Sequence, residues 1–229
     1  MTSQHGSAAG RPVLGPAGPN RRTQEGAFQA MRPLSAPADV LAQPIHLPYP
    51  PELPDGLPAR PRVLQLTDAD AVSRGLADGT RRDRAPDREV RACLELVWAT
   101  ARTIDPGARV VNAASSATAT RHLDVMTASG GNTWLVRRGL DGADRALLEE
   151  LDHLTDMHQM LHQPGRRRPV GPADLVILVA QDHIFARSIR RLRLLGVPTW
   201  LLVPGRSVAR ELFTTACAVT FVGPRPRSR

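Results

Sequence analysis

Leu175-Val176-Ile177-Leu178-Val179-Ala180 is an unbroken apolar run, followed at once by Gln181 and Asp182. A short run with no polar side of its own suits a strand covered on both faces, the situation of a central strand in a parallel sheet. Working outward, shorter apolar runs predict strands over 62–67, 109–113, 133–136, 199–203 and 219–222. Helical spacing falls between them, over 88–103, 118–129, 142–161, 184–195 and 207–216. Val90, Leu94, Val97 and Ala101 share one helix face, and Leu147, Leu151, Leu154 and Leu161 another. Asp87 stands where an N-cap is expected, Gly130-Gly131 and Gly196 act as stops, and 69–86 reads as a loop. Strands alternating with helices imply right-handed βαβ units and a mainly parallel sheet with helices on both faces. The expected fold is a three-layer α/β/α domain over 61–224.

Residues 1–60 differ in kind. They are rich in Pro, Gly, Ala and Ser, and 47–54 reads Leu-Pro-Tyr-Pro-Pro-Glu-Leu-Pro without helical or strand period. Such a segment buries too little apolar surface to offset its ordering entropy, so a disordered leader is expected there. It lacks the apolar central region of about 7–15 residues that marks a secretory signal. No apolar run approaches the ~18 residues that span a bilayer. Cys93 and Cys217 form no Cys-x-x-Cys pair, and a reducing cytoplasm is the expected compartment.

The net charge is +8, and every basic side chain is Arg. Five Arg lie in 1–60 and three in the basic tail 225–229. That leaves 22 Arg against 18 acids in 61–224, a modest excess that attracts polyanions without specifying one. Aromatic residues make up 3% of the chain, too few for a base-stacking platform.

Three aspartates carry the chemical information. Asp68 ends the first strand, Asp182 follows the apolar run at 175–180, and Asp144 opens the helix over 142–161. Groups at the carboxyl ends of parallel strands gather in one crevice. Carboxylates delivered there from separate strands form an oxygen-rich pocket for a hard cation such as Mg²⁺.

At these positions the chain resembles the NYN domain, a branch of the PIN-like ribonuclease superfamily. Three patterns carry the resemblance: Val63-Leu64-Gln65-Leu66-Thr67-Asp68-Ala69-Asp70-Ala71-Val72, Leu140-Asp141-Gly142-Ala143-Asp144-Arg145-Ala146-Leu147-Leu148, and Leu175 through Asp182-His183-Ile184-Phe185. They occur in the family's order and span about residues 61–222. The resemblance implies a PIN-like fold and an endoribonuclease dependent on Mg²⁺ or Mn²⁺. Asp68, Asp144 and Asp182 match its catalytic and metal-site positions, with Asp70 and Asp141 as further candidate ligands. Ala71 stands in the place the family usually gives Asn, Ile184 where many members have another Asp, and Gln181 where a small Gly is usual.

Arg166, Arg167, Arg168, Arg187, Arg190 and His183 are the candidates for contact with an RNA backbone. His158 and His162 share a helix face, but no flanking side chain completes a zinc site. A receiver-type regulator, which also places acids after strands, would need a late-strand lysine, and the chain has none. The expected function is hydrolysis of RNA phosphodiester bonds at an aspartate-held Mg²⁺ or Mn²⁺ site. The alternative is a PIN-like module that has lost catalysis and retains RNA binding or scaffolding. RNA is the expected partner and no membrane is; a homodimer, or a protein partner held through the leader, is left open.

Overall fold

The computed structural model describes residues 47, 49–50, 53, 55–77, 84–129, 132–139, 141–161 and 171–223, together with the backbone pairing of 34–35. Six strands form one sheet: β1 (Val63–Asp68), β2 (Arg109–Ser115), β3 (Thr133–Arg137), β4 (Leu175–Val179), β5 (Thr199–Pro204) and β6 (Ala218–Val222). All five pairings are parallel, in the order β3-β2-β1-β4-β5-β6. Every residue of β1, β4 and β5 is buried, as strands covered on both faces must be.

The two faces have separate cores. Val63, Val110, Leu175, Ile177, Val179, Trp200 and Leu202 face α2 (Asp87–Ile104), which contributes Val90, Leu94, Val97 and Trp98. Leu64, Leu66, Val111, Val176, Leu178, Leu201 and Val203 face α5 (Gly142–Leu161), α6 (Ala186–Leu194) and α7 (Arg210–Thr215). This is the three-layer α/β/α arrangement expected, and the strand alternation that divides the two cores is the period-2 pattern of the sheet.

Several local expectations are corrected. Residues 69–75 are not loop but helix α1 (Ala69–Gly75), started by Asp68, whose carboxylate accepts from the N–H groups of Asp70 and Ala71. Asp87 is not the N-cap of α2; Pro86 holds that position without a side-chain bond, and the Asp87 carboxylate turns to His122. The stretch 118–129 is two short helices, α3 (Ser116–Arg121) and α4 (Leu123–Thr127), broken at His122. The segment after Asp182 begins with a 3₁₀ turn, His183–Phe185, before α6. Residues 207–208 do not open a helix but pair antiparallel with 34–35.

The leader boundary also moves. Leu47 and Leu53 are buried in the α2-side core, the Leu47 N–H donates to Thr100 Oγ1, and Tyr49 meets Trp200 edge to face. The packed region therefore reaches back beyond residue 60 to Leu47, because these apolar side chains, spaced by prolines, cover one end of a core that α2 alone leaves open. Among the described residues no helix is long and apolar enough to cross a membrane.

Candidate active site

The chain moves outward from β1 to β2 and β3, then returns to β4 on the other side of β1 and continues to β5 and β6. The order reverses between β1 and β4, and the crevice beyond their carboxyl ends is the place where such sheets bind ligands. Asp68 is the last residue of β1, and Asp182 lies three residues beyond β4. Asp144 is in the first turn of α5, which begins five residues beyond β3. The topology therefore delivers all three sequence-predicted aspartates to one edge.

Their environments differ. Asp68 is 1% exposed. Its Oδ1 accepts from the N–H groups of Asp70 at 2.9 Å and Ala71 at 3.1 Å, while Oδ2 lies 3.9 Å from Arg74 Nη2. Burial, and then the charges of Asp144 and Asp70, push its carboxyl up to about 8, despite the opposing cap bond and Arg74. Asp144 is 8% exposed and its Oδ1 is buried with no hydrogen-bond partner. Burial and the neighbouring Asp182, Asp141 and Asp70 hold its carboxyl above the usual range, with Arg74 opposing. Asp182 is half-exposed; its Oδ1 accepts from the Ile184 N–H at 3.3 Å and lies 2.7 Å from His183 Nδ1.

The two secondary acids separate. Asp141 is exposed on the turn before α5, where its carbonyl accepts from Arg145. Asp70, a further candidate ligand on what was expected to be a loop, is buried in the first turn of α1, and its Oδ1 accepts from both the N–H and Oγ of Ser115 at 3.1 Å. Ser115 ends β2, so Asp70 joins α1 to the neighbouring strand and adds its charge to Asp68 and Asp144. Gln181 directs its amide to the Pro204 carbonyl, which ties the end of β4 to the end of β5. Ala71 spends its N–H on the Asp68 cap and its methyl is buried.

The cations also sort themselves. His183 is exposed beside Asp182 and Arg187 is exposed in the first turn of α6, whereas Arg190 pairs with Glu211 at 3.7 Å. Arg166, Arg167 and Arg168 lie outside the described residues, as do 1–46 apart from the pairing at 34–35, and the tail 225–229. Sequence reading passed over Arg138 after β3, Arg145 in the first turn of α5 and Arg206 after β5. With Arg187 in the first turn of α6, they place four exposed guanidinium groups along the carboxyl edge, none in an ion pair among the described residues.

Nearby, a second polar chain links α1 to α2 and the α3–α4 break. Ser73 Oγ is 2.9 Å from His122 Nε2, and His122 Nδ1 is 2.5 Å from Asp87 Oδ1. In order it reads as nucleophile, base and orienting acid. Ser73, however, is wholly buried inside a helix, so the chain serves as a strut that holds α1.

An all-oxygen donor set with an orphaned buried carboxylate oxygen fits a hard divalent cation. Among the described residues no group of three or more His, Cys, Asp or Glu side chains forms a ready-made cage. Mg²⁺ does not require one, because it retains several waters and is held by one or two carboxylates together with substrate phosphates. Compared with protein-family models, curated proteins and solved structures, the chain matches none of them.

Proposed function

We propose that the carboxyl edge is the active site of a Mg²⁺- or Mn²⁺-dependent endoribonuclease of the PIN-like, NYN type. One observation carries the reading: Asp144 holds a buried carboxylate oxygen without a partner among the described residues, beside Asp68, Asp70 and Asp182. Clustered carboxylates of this kind are costly until a cation offsets their repulsion. Asp144 and Asp68 would hold the metal, with Asp182 completing the set from the β4 side. The bound ion would supply Lewis-acid chemistry, lowering the pKa of a water and stabilising charge on the phosphate. The chain's own part is positional. Asp68 and Asp70 are fixed by backbone and Ser115 bonds, and His183 orients Asp182. The exposed Arg138, Arg145, Arg187 and Arg206 suit the backbone of an RNA strand lying along this edge. Two free cysteines, with the Cys93 thiol pushed up to about 12 by burial, fit a reducing cytoplasm.

The test is calorimetric titration with MnCl₂ of wild type, Asp144→Asn and Asp182→Asn, with cleavage of a single-stranded RNA measured in the same buffer. Wild-type binding lost in both variants, with metal-dependent cleavage lost alongside it, is the expected result. A folded wild type that neither binds Mn²⁺ nor cleaves sinks the reading.

A second reading has its own observation. Asp68 Oδ1 and Asp182 Oδ1 are both engaged in starting helical turns, and among the described residues no cage of three ligands is formed. A module that binds RNA or a protein without cutting is consistent with that commitment. It predicts salt-sensitive RNA binding that survives Asp182→Ala.

A further inference from the structure

Among the described residues, Arg74 is the one cation in an ion pair with Asp68. Its Nη2 lies 3.9 Å from Asp68 Oδ2, and its charge opposes the upward displacement of both Asp68 and Asp144. Asp68 is sealed from solvent while the Arg74 side chain is 44% exposed, so the guanidinium bridges the buried cluster and bulk water.

Arg74 is also held in place. It sits in the last turn of a seven-residue helix fixed at three points. Asp68 caps its start, and Ser73 is bound to His122. At its end, a Cβ on Gly75 would lie 2.4 Å from the Pro204 carbonyl oxygen, and one on Gly205 would lie 1.9 Å from the Gly75 oxygen. The backbone that carries Arg74 is therefore packed directly onto the end of β5. Its stem starts from a set position, and the free end of its side chain can swing between the carboxylates and solvent.

We infer that Arg74 is the resident cation of the site: in the metal-free protein its guanidinium occupies the mouth of the site beside Asp68 Oδ2, and a divalent ion must displace it to bind. The inference rests on the metal reading above for its second half only. A displaced guanidinium at the mouth of the crevice is then placed to meet a phosphate, which it can grip with two parallel N–H bonds. The site would accordingly exchange one cation for another.

Two measurements test this on the full chain, with Arg74→Met retaining the apolar stem. In EDTA at pH 9, where Asp68 is ionised, Arg74→Met should lower Tm by about 2–4 °C in the wild-type background and have little effect when Asp68→Asn is already present. In calorimetry, Arg74→Met should bind Mn²⁺ about three- to fivefold more tightly than wild type, the scale of a half-exposed ion pair removed as competitor. Additive Tm losses, or Mn²⁺ affinity unchanged or weakened in Arg74→Met, would overturn the inference. If neither protein binds Mn²⁺ but the Tm losses are coupled, Arg74 stands as the permanent cation of the cluster and the metal reading falls.

Discussion

Ser73 Oγ lies 2.9 Å from His122 Nε2, and both side chains are buried. The bond joins the middle of α1 to the break between α3 and α4, and Asp87 fixes the other ring nitrogen. His122→Ala leaves the Ser73 hydroxyl without this partner inside the protein. The expected loss is about 1–3 kcal/mol, measured by urea unfolding. A serine-directed phosphonate probe should leave Ser73 unlabelled, since it has no exposed surface. Wild-type stability in His122→Ala would remove the strut, and labelling at Ser73 would reopen the triad as chemistry.

Asp68 makes stability depend on pH in the metal-free protein. Its folded carboxyl is pushed from 3.8 to about 8, chiefly by burial. Below the ordinary value both folded and unfolded chains hold the proton, and there is no penalty. As pH rises toward about 8 the unfolded chain releases the proton and the folded chain retains it, so stability falls across that window. Each unit of displacement is worth about 1.4 kcal/mol. Asp68→Asn keeps an oxygen for the helix cap and removes the titration. Melting curves in EDTA between pH 4 and pH 8 should slope downward in wild type and be flatter in Asp68→Asn. Parallel curves for the two proteins would remove Asp68 as the source.

Leu47 fills one end of the α2-side core. Leu47→Ala is expected to cost about 2–4 kcal/mol, the range for a buried leucine. A chain that begins at residue 61, the boundary the sequence implies, loses Leu47, Tyr49 and Leu53 together and should melt well below the full-length protein. Equal melting temperatures would return those residues to the leader.

That boundary shows where sequence reading stops. Periodicity placed β4 in the centre of the sheet because all of Leu175–Val179 is apolar, and it placed α5 to the residue because its leucines keep helical spacing. The three aspartates were legible because each follows or opens a strongly patterned element. Leu47 and Leu53 were not, since the proline-spaced segment around them carries no period and only their packing against the core explains their burial. Helix α1 is seven residues long, too short for an amphipathic stripe, and its start depends on Asp68 doubling as a cap. Arg74 lies on that unseen helix and was missed as a member of the site, whereas Asp70, already a candidate ligand, is held there by Ser115. Asp87 looked like a cap by position, but the preference that decided it was a contact with His122, distant in sequence.

Gly205 and Gly139 form a matched pair for a final test. Both have positive φ, +79° and +96°. A Cβ on Gly139 meets nothing within 4 Å, whereas one on Gly205 meets the Gly75 oxygen at 1.9 Å. Gly139→Ala should cost about 1 kcal/mol, for backbone conformation alone. Gly205→Ala adds a backbone collision and should cost more than about 2 kcal/mol. It should also disturb Mn²⁺ binding, because it pushes on the end of α1. Similar losses in both variants would show that the contact between Gly75 and Gly205 is slack.

The strand order has a consequence for synthesis of the chain. β1 pairs with β4 as well as with β2, so Val63 waits for Leu175 before its second edge is covered. A ribosome delivers β1, β2, β3 and α5 first, and Asp68, Asp70 and Asp144 with them, but Asp182 emerges only after β4. Contacts so distant along the chain form late. The acid cluster is thus completed only once β4 has emerged, more than a hundred residues after Asp68 and Asp70, and a nascent chain that stops short of Asp182 holds only part of the set.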